Sequence, residues 1–121
     1  MMTRGLAEHF AREWVEAWNA HDLERILAHY EDDFEMSSPV IVKMLGEASG
    51  TLRGKPAVRA YWARALAAAP SLRFELVSTL AGVNGVTLYY KGHRGLAAEV
   101  FHFETSGKVA KAFAHYAEWQ A

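Results

Sequence analysis

The chain has 121 residues, no cysteine and a net charge of −1, from 13 Lys and Arg against 14 Asp and Glu. That length leaves room for one domain over residues 1–121, with a core that needs no disulfides, and it excludes thiolate chemistry. Interspersed charges argue against a nucleic-acid or anionic-membrane partner, no apolar run reaches the ~20 residues of a bilayer span, and the polar start Met1 to Phe10 implies a cytoplasmic location.

A first helix is expected over residues 3–20, with Thr3 as N-cap and Leu6, Phe10, Trp14, Ala17 and Trp18 on its buried face. After a break at Asn19–Asp22, a second helix carries Leu23, Ile26, Leu27 and Tyr30 at helical spacing until Glu31-Asp32-Asp33 ends it. Phe34, Met36 and Ser38 then alternate with Glu35 and Ser37 as a half-buried strand does, and Pro39 stops the ladder. Residues 40–54, punctuated by Gly46, Gly50 and Gly54, read as a long loop and a candidate lid. A third helix opens with Pro56 in its first turn, turns Val58, Tyr61, Trp62, Ala65 and Leu66 inward and stops at Pro70.

The remainder reads as an antiparallel meander with strands at 72–81, 86–91, 96–104 and 109–118. The Asn84-Gly85 pair is the strongest hairpin signal among the turns. Helices first and strands second imply an α+β fold: three helices packed on one face of a strongly curved, mainly antiparallel sheet. Such a roll leaves a conical cavity. Fifteen aromatic residues (six Phe, five Tyr, four Trp) are available to line it.

Several strings in this order resemble one family. Trp14-Val15-Glu16-Ala17-Trp18-Asn19-Ala20-His21-Asp22-Leu23 resembles the "a.NAgDL" opening of nuclear-transport-factor-2-like proteins of the SnoaL-like group. Tyr30-Glu31-Asp32-Asp33-Phe34-Glu35-Met36 is similar to their passage into the first strand, Gly54 to Trp62 to their third helix, and Gly107-Lys108-Val109 to the turn before their last strand. The resemblance covers nearly the whole chain and implies a cystatin-like conical roll. Its best-understood catalytic member, ketosteroid isomerase, needs a base and two oxyanion-hole donors. By motif, the donor tyrosine falls on Trp14, the basic aspartate on Ser38 and the protonated aspartate on Glu99. Two of three groups are changed, so steroid isomerisation is not expected.

Alternation along the third meander strand puts Ala97, Glu99, Phe101 and Phe103 on one face. If that face is inward, Glu99 is an acid among apolar neighbours, with a raised pKa and the capacity to act as acid, base or donor. Otherwise it pairs with an arginine or sits at a solvated mouth. On the last strand Ala112, Ala114 and Tyr116 share one face and His115 lies on the other, entering the pocket only if the register shifts by one. The candidate catalytic residues are therefore Glu99, Tyr116 and His115. The candidate ligand-binding residues are Trp14, Trp18, Met36, Ser38, Tyr61, Trp62, Phe74, Leu88, Tyr90, Phe101 and Ala114.

The six histidines (His9, His21, His29, His93, His102 and His115) lack metal-ligand spacing, and no glycine-rich loop ends as a phosphate cradle does, so no metal or cofactor is expected. Tyr89, Val100, His102, Phe113 and His115 would lie on the outer sheet face, where the resemblance implies a homodimer. Three readings compete: an acid/base enzyme of isomerase, cyclase or hydratase type acting on a small apolar carbonyl or polyketide-like molecule, a non-catalytic hydrophobic-ligand binder, and a dimeric association module. Small residues at Ala65, Ala97, Ala112 and Ala114 favour an open pocket over a filled one.

Overall fold

The computed structural model describes residues 1–119, so the end of the expected domain at 121 lies outside the described residues. Helix α1 spans Arg4–Asn19, with the Thr3 hydroxyl accepting from the Leu6 amide as an N-cap should. Its buried stripe is Ala7, Phe10, Ala11, Trp14, Ala17 and Trp18. Leu6, expected inside, is exposed, because Ala7 takes the inward position one step along the helix.

Helix α2 is shorter than its periodicity suggested, covering Leu23–Leu27 behind an Asp22 cap. Tyr30 belongs instead to strand β1 (Tyr30–Ser37). A register shift between Tyr30 and Glu35 leaves Asp32 outside while Tyr30 and Phe34 are buried. That interruption turns a strand's alternation into a four-residue spacing, which mimics a helix.

The expected loop at 40–54 is ordered. Pro39 does not simply end a strand: it opens helix α3 (Pro39–Leu45), with Ser38 as N-cap and left-handed Gly46 as C-cap. Strand β2 (Thr51–Arg53) follows and pairs with β1. Helix α4 then runs Lys55–Ala68. The chain thus has four helices among the described residues, not three.

Strands β3 (Glu75–Ala81), β4 (Gly85–Gly92), β5 (Gly95–Phe103) and β6 (Val109–Tyr116) form the meander. The curved six-stranded sheet has the order β2-β1-β6-β5-β4-β3, antiparallel except for the β1–β6 pair. Helix α1 lies against β3 and α4 against β1 and β2.

The Asn84-Gly85 hairpin forms, but no residue of that turn has a positive φ, so it is not the mirror-image turn such a pair favours. Gly85 is needed for space: a Cβ there would lie 2.8 Å from the Phe101 carbonyl oxygen.

Where α1 ends, the Asn19 amide receives the Phe74 N–H at 2.6 Å and donates to the Phe74 carbonyl at 3.0 Å. His21 is the one non-glycine residue with a positive φ among the described residues, at φ 54, and its ring bonds the Leu72 carbonyl at 2.9 Å. Asn19 thus fixes the chain that delivers Phe74. Asn19→Ala should lower stability by about 1–3 kcal/mol in urea unfolding, because both Phe74 backbone groups lose their partner.

Candidate functional site

A cavity of about 180 Å³ opens between the sheet and helices α1, α3 and α4. Its apolar wall includes Trp14 and Trp18 from α1, Met36 from β1, Val40 and Met44 from α3, and Trp62 and Ala65 from α4. The aromatic rings brace one another. Trp14 stacks on Phe74 at 5.3 Å and meets Tyr90 edge-on at 5.2 Å, while Trp18 meets Trp62 edge-on at 5.2 Å.

Two N–H donors of that wall are not offered to a ligand. Trp14 Nε1 donates to the Tyr30 hydroxyl at 3.1 Å, so the oxyanion-donor role suggested for Trp14 is already taken by the protein. Trp18 Nε1 is enclosed without a hydrogen-bond partner among the described residues, beside the edge-on Trp62 ring.

Glu99 is 4% exposed and lines the cavity. The strand register explains its isolation: its cross-strand neighbours are Leu88 on β4 and Ala114 on β6, with Ala97 and Phe101 along its own strand on the same face. The Tyr90 hydroxyl donates to Glu99 Oε1 at 3.3 Å, and no cation pairs with the carboxylate among the described residues. Burial raises the Glu99 pKa to about 7, and the Tyr90 hydrogen bond opposes that rise. The carboxyl therefore exchanges its proton close to neutral pH.

Three phenols share the space. Burial, followed by the charge of Glu99, pushes the Tyr90 hydroxyl well above its usual range. Burial likewise raises Tyr61 and Tyr116, which also lie near the Ser38 hydroxyl. All three thus remain protonated donors.

The inward assignment of Glu99 and Tyr116 stands, and of the expected ligand-binding set Trp14, Trp18, Met36, Tyr61, Trp62, Phe74 and Tyr90 line the cavity. Four do not. Leu88 and Phe101 are fully buried beneath it, Ala114 is buried on β6 opposite Glu99, and Ser38 caps α3 by accepting from the Val40 amide at 3.1 Å. His115 stays on the outer face, exposed, because it follows inward-facing Ala114 on a regular strand; the acid/base role considered for it has no place in this cavity. Of the alanines expected to leave room, only Ala65 lines the cavity; Ala97 and Ala112 pack within the core.

Sequence reasoning missed Val40, Met44, Leu72, His93 and Arg94. Val40 and Met44 lay in the supposed loop. His93 and Arg94 sit on the two-residue tip between β4 and β5, which Gly92 and Gly95 close.

The SnoaL-like domain model matches residues 11–116. The chain belongs to the SnoaL-like domain family. A crystal structure of a SnoaL-like protein of unknown function from Burkholderia thailandensis is 57% identical, with a TM-score of 0.93 over 96% of this chain and 98% of that one. A nuclear-transport-factor-2-like protein of unknown function from Burkholderia pseudomallei shares the fold at 19% identity, TM-score 0.73, covering 95% and 92% of the two chains. So does the epoxide hydrolase/cyclase-like enzyme SalBIII of pyran ring formation in polyether salinomycin, at 16% identity, TM-score 0.75, over 94% and 92%. No curated protein matches the chain. No helix of this SnoaL-like domain is long and apolar enough to cross a membrane, and no three His, Asp or Glu side chains gather to hold a metal ion among the described residues.

The Glu99 environment sets the sign of a pH effect on this SnoaL-like domain. Its folded pKa of about 7 exceeds its ordinary value of 4.5, so the native state holds the proton more tightly than the unfolded chain. Stability from this group is full below the ordinary value and is lost as pH rises through about 7. Glu99→Gln should therefore match wild type near pH 4 and exceed it near pH 8, by up to about 3 kcal/mol, in urea titrations at the two pH values. A lower stability of the variant near pH 8 would mean a paired carboxylate.

Proposed function

We propose that the cavity binds a small, largely apolar carbonyl or polyketide-like molecule and that Glu99 moves a proton on it. The observation that carries this reading is a buried carboxyl without a cation, poised near pH 7 in an aromatic cavity. A general base or acid works best when its pKa lies near the working pH. Glu99 as carboxylate would take a proton from the carbon next to the carbonyl. The hydroxyls of Tyr61 and Tyr116 are the donors available to the oxygen as charge develops on it, while the Tyr90 hydroxyl is engaged by Glu99. Glu99 then returns the proton to the same or another carbon, the step shared by isomerase and cyclase chemistry. The shared fold of SalBIII, an epoxide hydrolase/cyclase-like enzyme, is compatible with this class.

The reading does not extend to steroids. The position of the ketosteroid isomerase base is Ser38, whose hydroxyl caps a helix. A cavity of about 180 Å³ is also close to the ~150 Å³ that accommodates one benzene ring, far from four fused rings.

The test is solvent exchange. In deuterated buffer, wild type should wash out the α-protons of cyclohexanone or a similar single-ring ketone, followed by NMR, while Glu99→Gln falls to the buffer rate. If the ketone perturbs tryptophan emission saturably but both proteins exchange at the buffer rate, the protein is a binder and not a proton-transfer enzyme.

The outer sheet face belongs to the same proposal. Val100 and Phe113 are direct cross-strand partners there, His102 leans on Phe113 with ring centroids 5.4 Å apart, and Tyr89 is partly exposed. A second copy of the chain covering this face would bury that contiguous aromatic strip. Sedimentation equilibrium at micromolar concentration should give twice the chain mass, and Phe113→Lys should give a monomer with unchanged helical circular dichroism. A monomeric wild type overturns it.

A further inference from the structure

The cavity has two chemically distinct ends. Glu99 lies in the interior, 4% exposed. Arg94 is exposed at the mouth, on the tip that joins β4 to β5, where the Gly92–Gly95 pair closes the hairpin and holds the arginine over the opening. Arg94 is the one permanent positive charge among the described cavity-lining residues, and it makes no ion pair or hydrogen bond with any of the described side chains. Its charge is felt inside, since it draws the Tyr61 and Tyr116 hydroxyls down against the effect of burial. The Tyr61 and Tyr116 hydroxyls feel the charges of both ends, and the rest of the cavity wall is largely apolar, with Trp18, Trp62, Phe74 and Met44 among its lining.

We propose that the ligand is a one-ring or short-chain carbonyl compound bearing a carboxylate, with Arg94 gripping the anion at the mouth and the carbonyl end directed toward Glu99. This rests on the reading of the cavity as a ligand site. Volume sets the size of the body: about 180 Å³ holds little more than one six-membered ring. Charge sets the head group. A guanidinium presents a planar fork of donors that matches a carboxylate two bonds at a time. Polarity sets the direction, because a carboxylate placed against the interior Glu99 would meet a like charge or a desolvating aromatic wall, whereas at Arg94 it stays partly hydrated. Arg94 is then a specificity residue and takes no part in proton transfer.

The probe is 4-oxocyclohexanecarboxylate, whose ketone and carboxylate lie at opposite ends of one ring, compared with its methyl ester. Binding is read at about pH 6.5 by tryptophan emission, independently of any turnover. Wild type should prefer the acid over the ester by about three- to fivefold, the upper range for a partly solvated ion pair. Arg94→Gln should abolish that preference while leaving ester affinity unchanged, and Arg94→Lys should retain part of it. Arg94 is an exposed turn residue, so circular dichroism should be the same for all three proteins. Glu99→Gln should keep the acid preference, so a failed exchange assay and a failed Arg94 assignment give different results. Equal affinity of wild type for acid and ester, a preference that survives Arg94→Gln, or no binding of either probe overturns the assignment.

Discussion

The indole of Trp14 holds the molecule together. Its ring is almost completely enclosed, stacked on Phe74 and meeting Tyr90 and Phe101 edge-on, while its N–H reaches the Tyr30 hydroxyl at the start of β1. One side chain therefore ties α1 to β1, to β4 and β5 across the sheet, and to the segment entering β3. Truncating a buried aromatic of this kind typically costs about 3–5 kcal/mol. The consequence for function is as direct as that for stability. The polar atom of Trp14 is spent within the protein, so the cavity it borders has an aromatic floor and must take its chemistry from elsewhere.

In the proposed reading that chemistry falls to Glu99, which the same packing isolates. Leu88, Ala97, Phe101 and Ala114 surround it on the sheet, and the Tyr90 hydroxyl is its hydrogen-bond partner among the described residues. A fold selected for stability alone would place an apolar side chain there, because ionisation in this site is unfavourable. Keeping a carboxyl in that place makes sense when its proton is wanted near neutral pH. The same burial that destabilises the charged form sharpens any interaction the carboxyl makes with a bound molecule.

Much of this was legible in the sequence, and the rest was hidden for identifiable reasons. Regular alternation over residues 97–102 of β5 and 111–116 of β6 placed Glu99 and Tyr116 inward and His115 outward, because the pleat is unbroken there and obliges neighbours to opposite faces. Alternation gives the face but not the depth. Leu88 and Phe101 share the inner face with Tyr90 and Glu99, yet they are buried beneath the cavity rather than lining it. The β1 irregularity disguised Tyr30 as helical. Helix α3 was hidden because Val40, Ile41 and Val42 are poor helix formers, and its formation relies on the Ser38 cap, Pro39 in the first turn and Gly46 at the end. Arg94 carried no periodic signal at all, since its role depends on where a turn lands over the cavity.

The Ser38-Pro39 step also limits the mechanism. In the ketosteroid isomerase pattern this position supplies the base while the group corresponding to Glu99 donates to the oxyanion. Here the Ser38 hydroxyl accepts the Val40 amide and helps α3 begin, which brings Val40 and Met44 to the cavity wall. Freeing that hydroxyl for catalysis would leave the cap unmade, at a cost of about 1 kcal/mol. Of the described side chains facing the cavity, Glu99 is the sole carboxyl and His93 is exposed at the rim. A proton taken from a ligand must then return from the same group, and a carboxyl with a pKa of about 7 is suited to both steps. The phenols, all raised by burial, are suited only to donating hydrogen bonds. In the proposed reading, one exchangeable proton in the interior, donors around it and a fixed positive charge at the mouth divide the work among residues that the two-carboxylate pattern would have arranged differently.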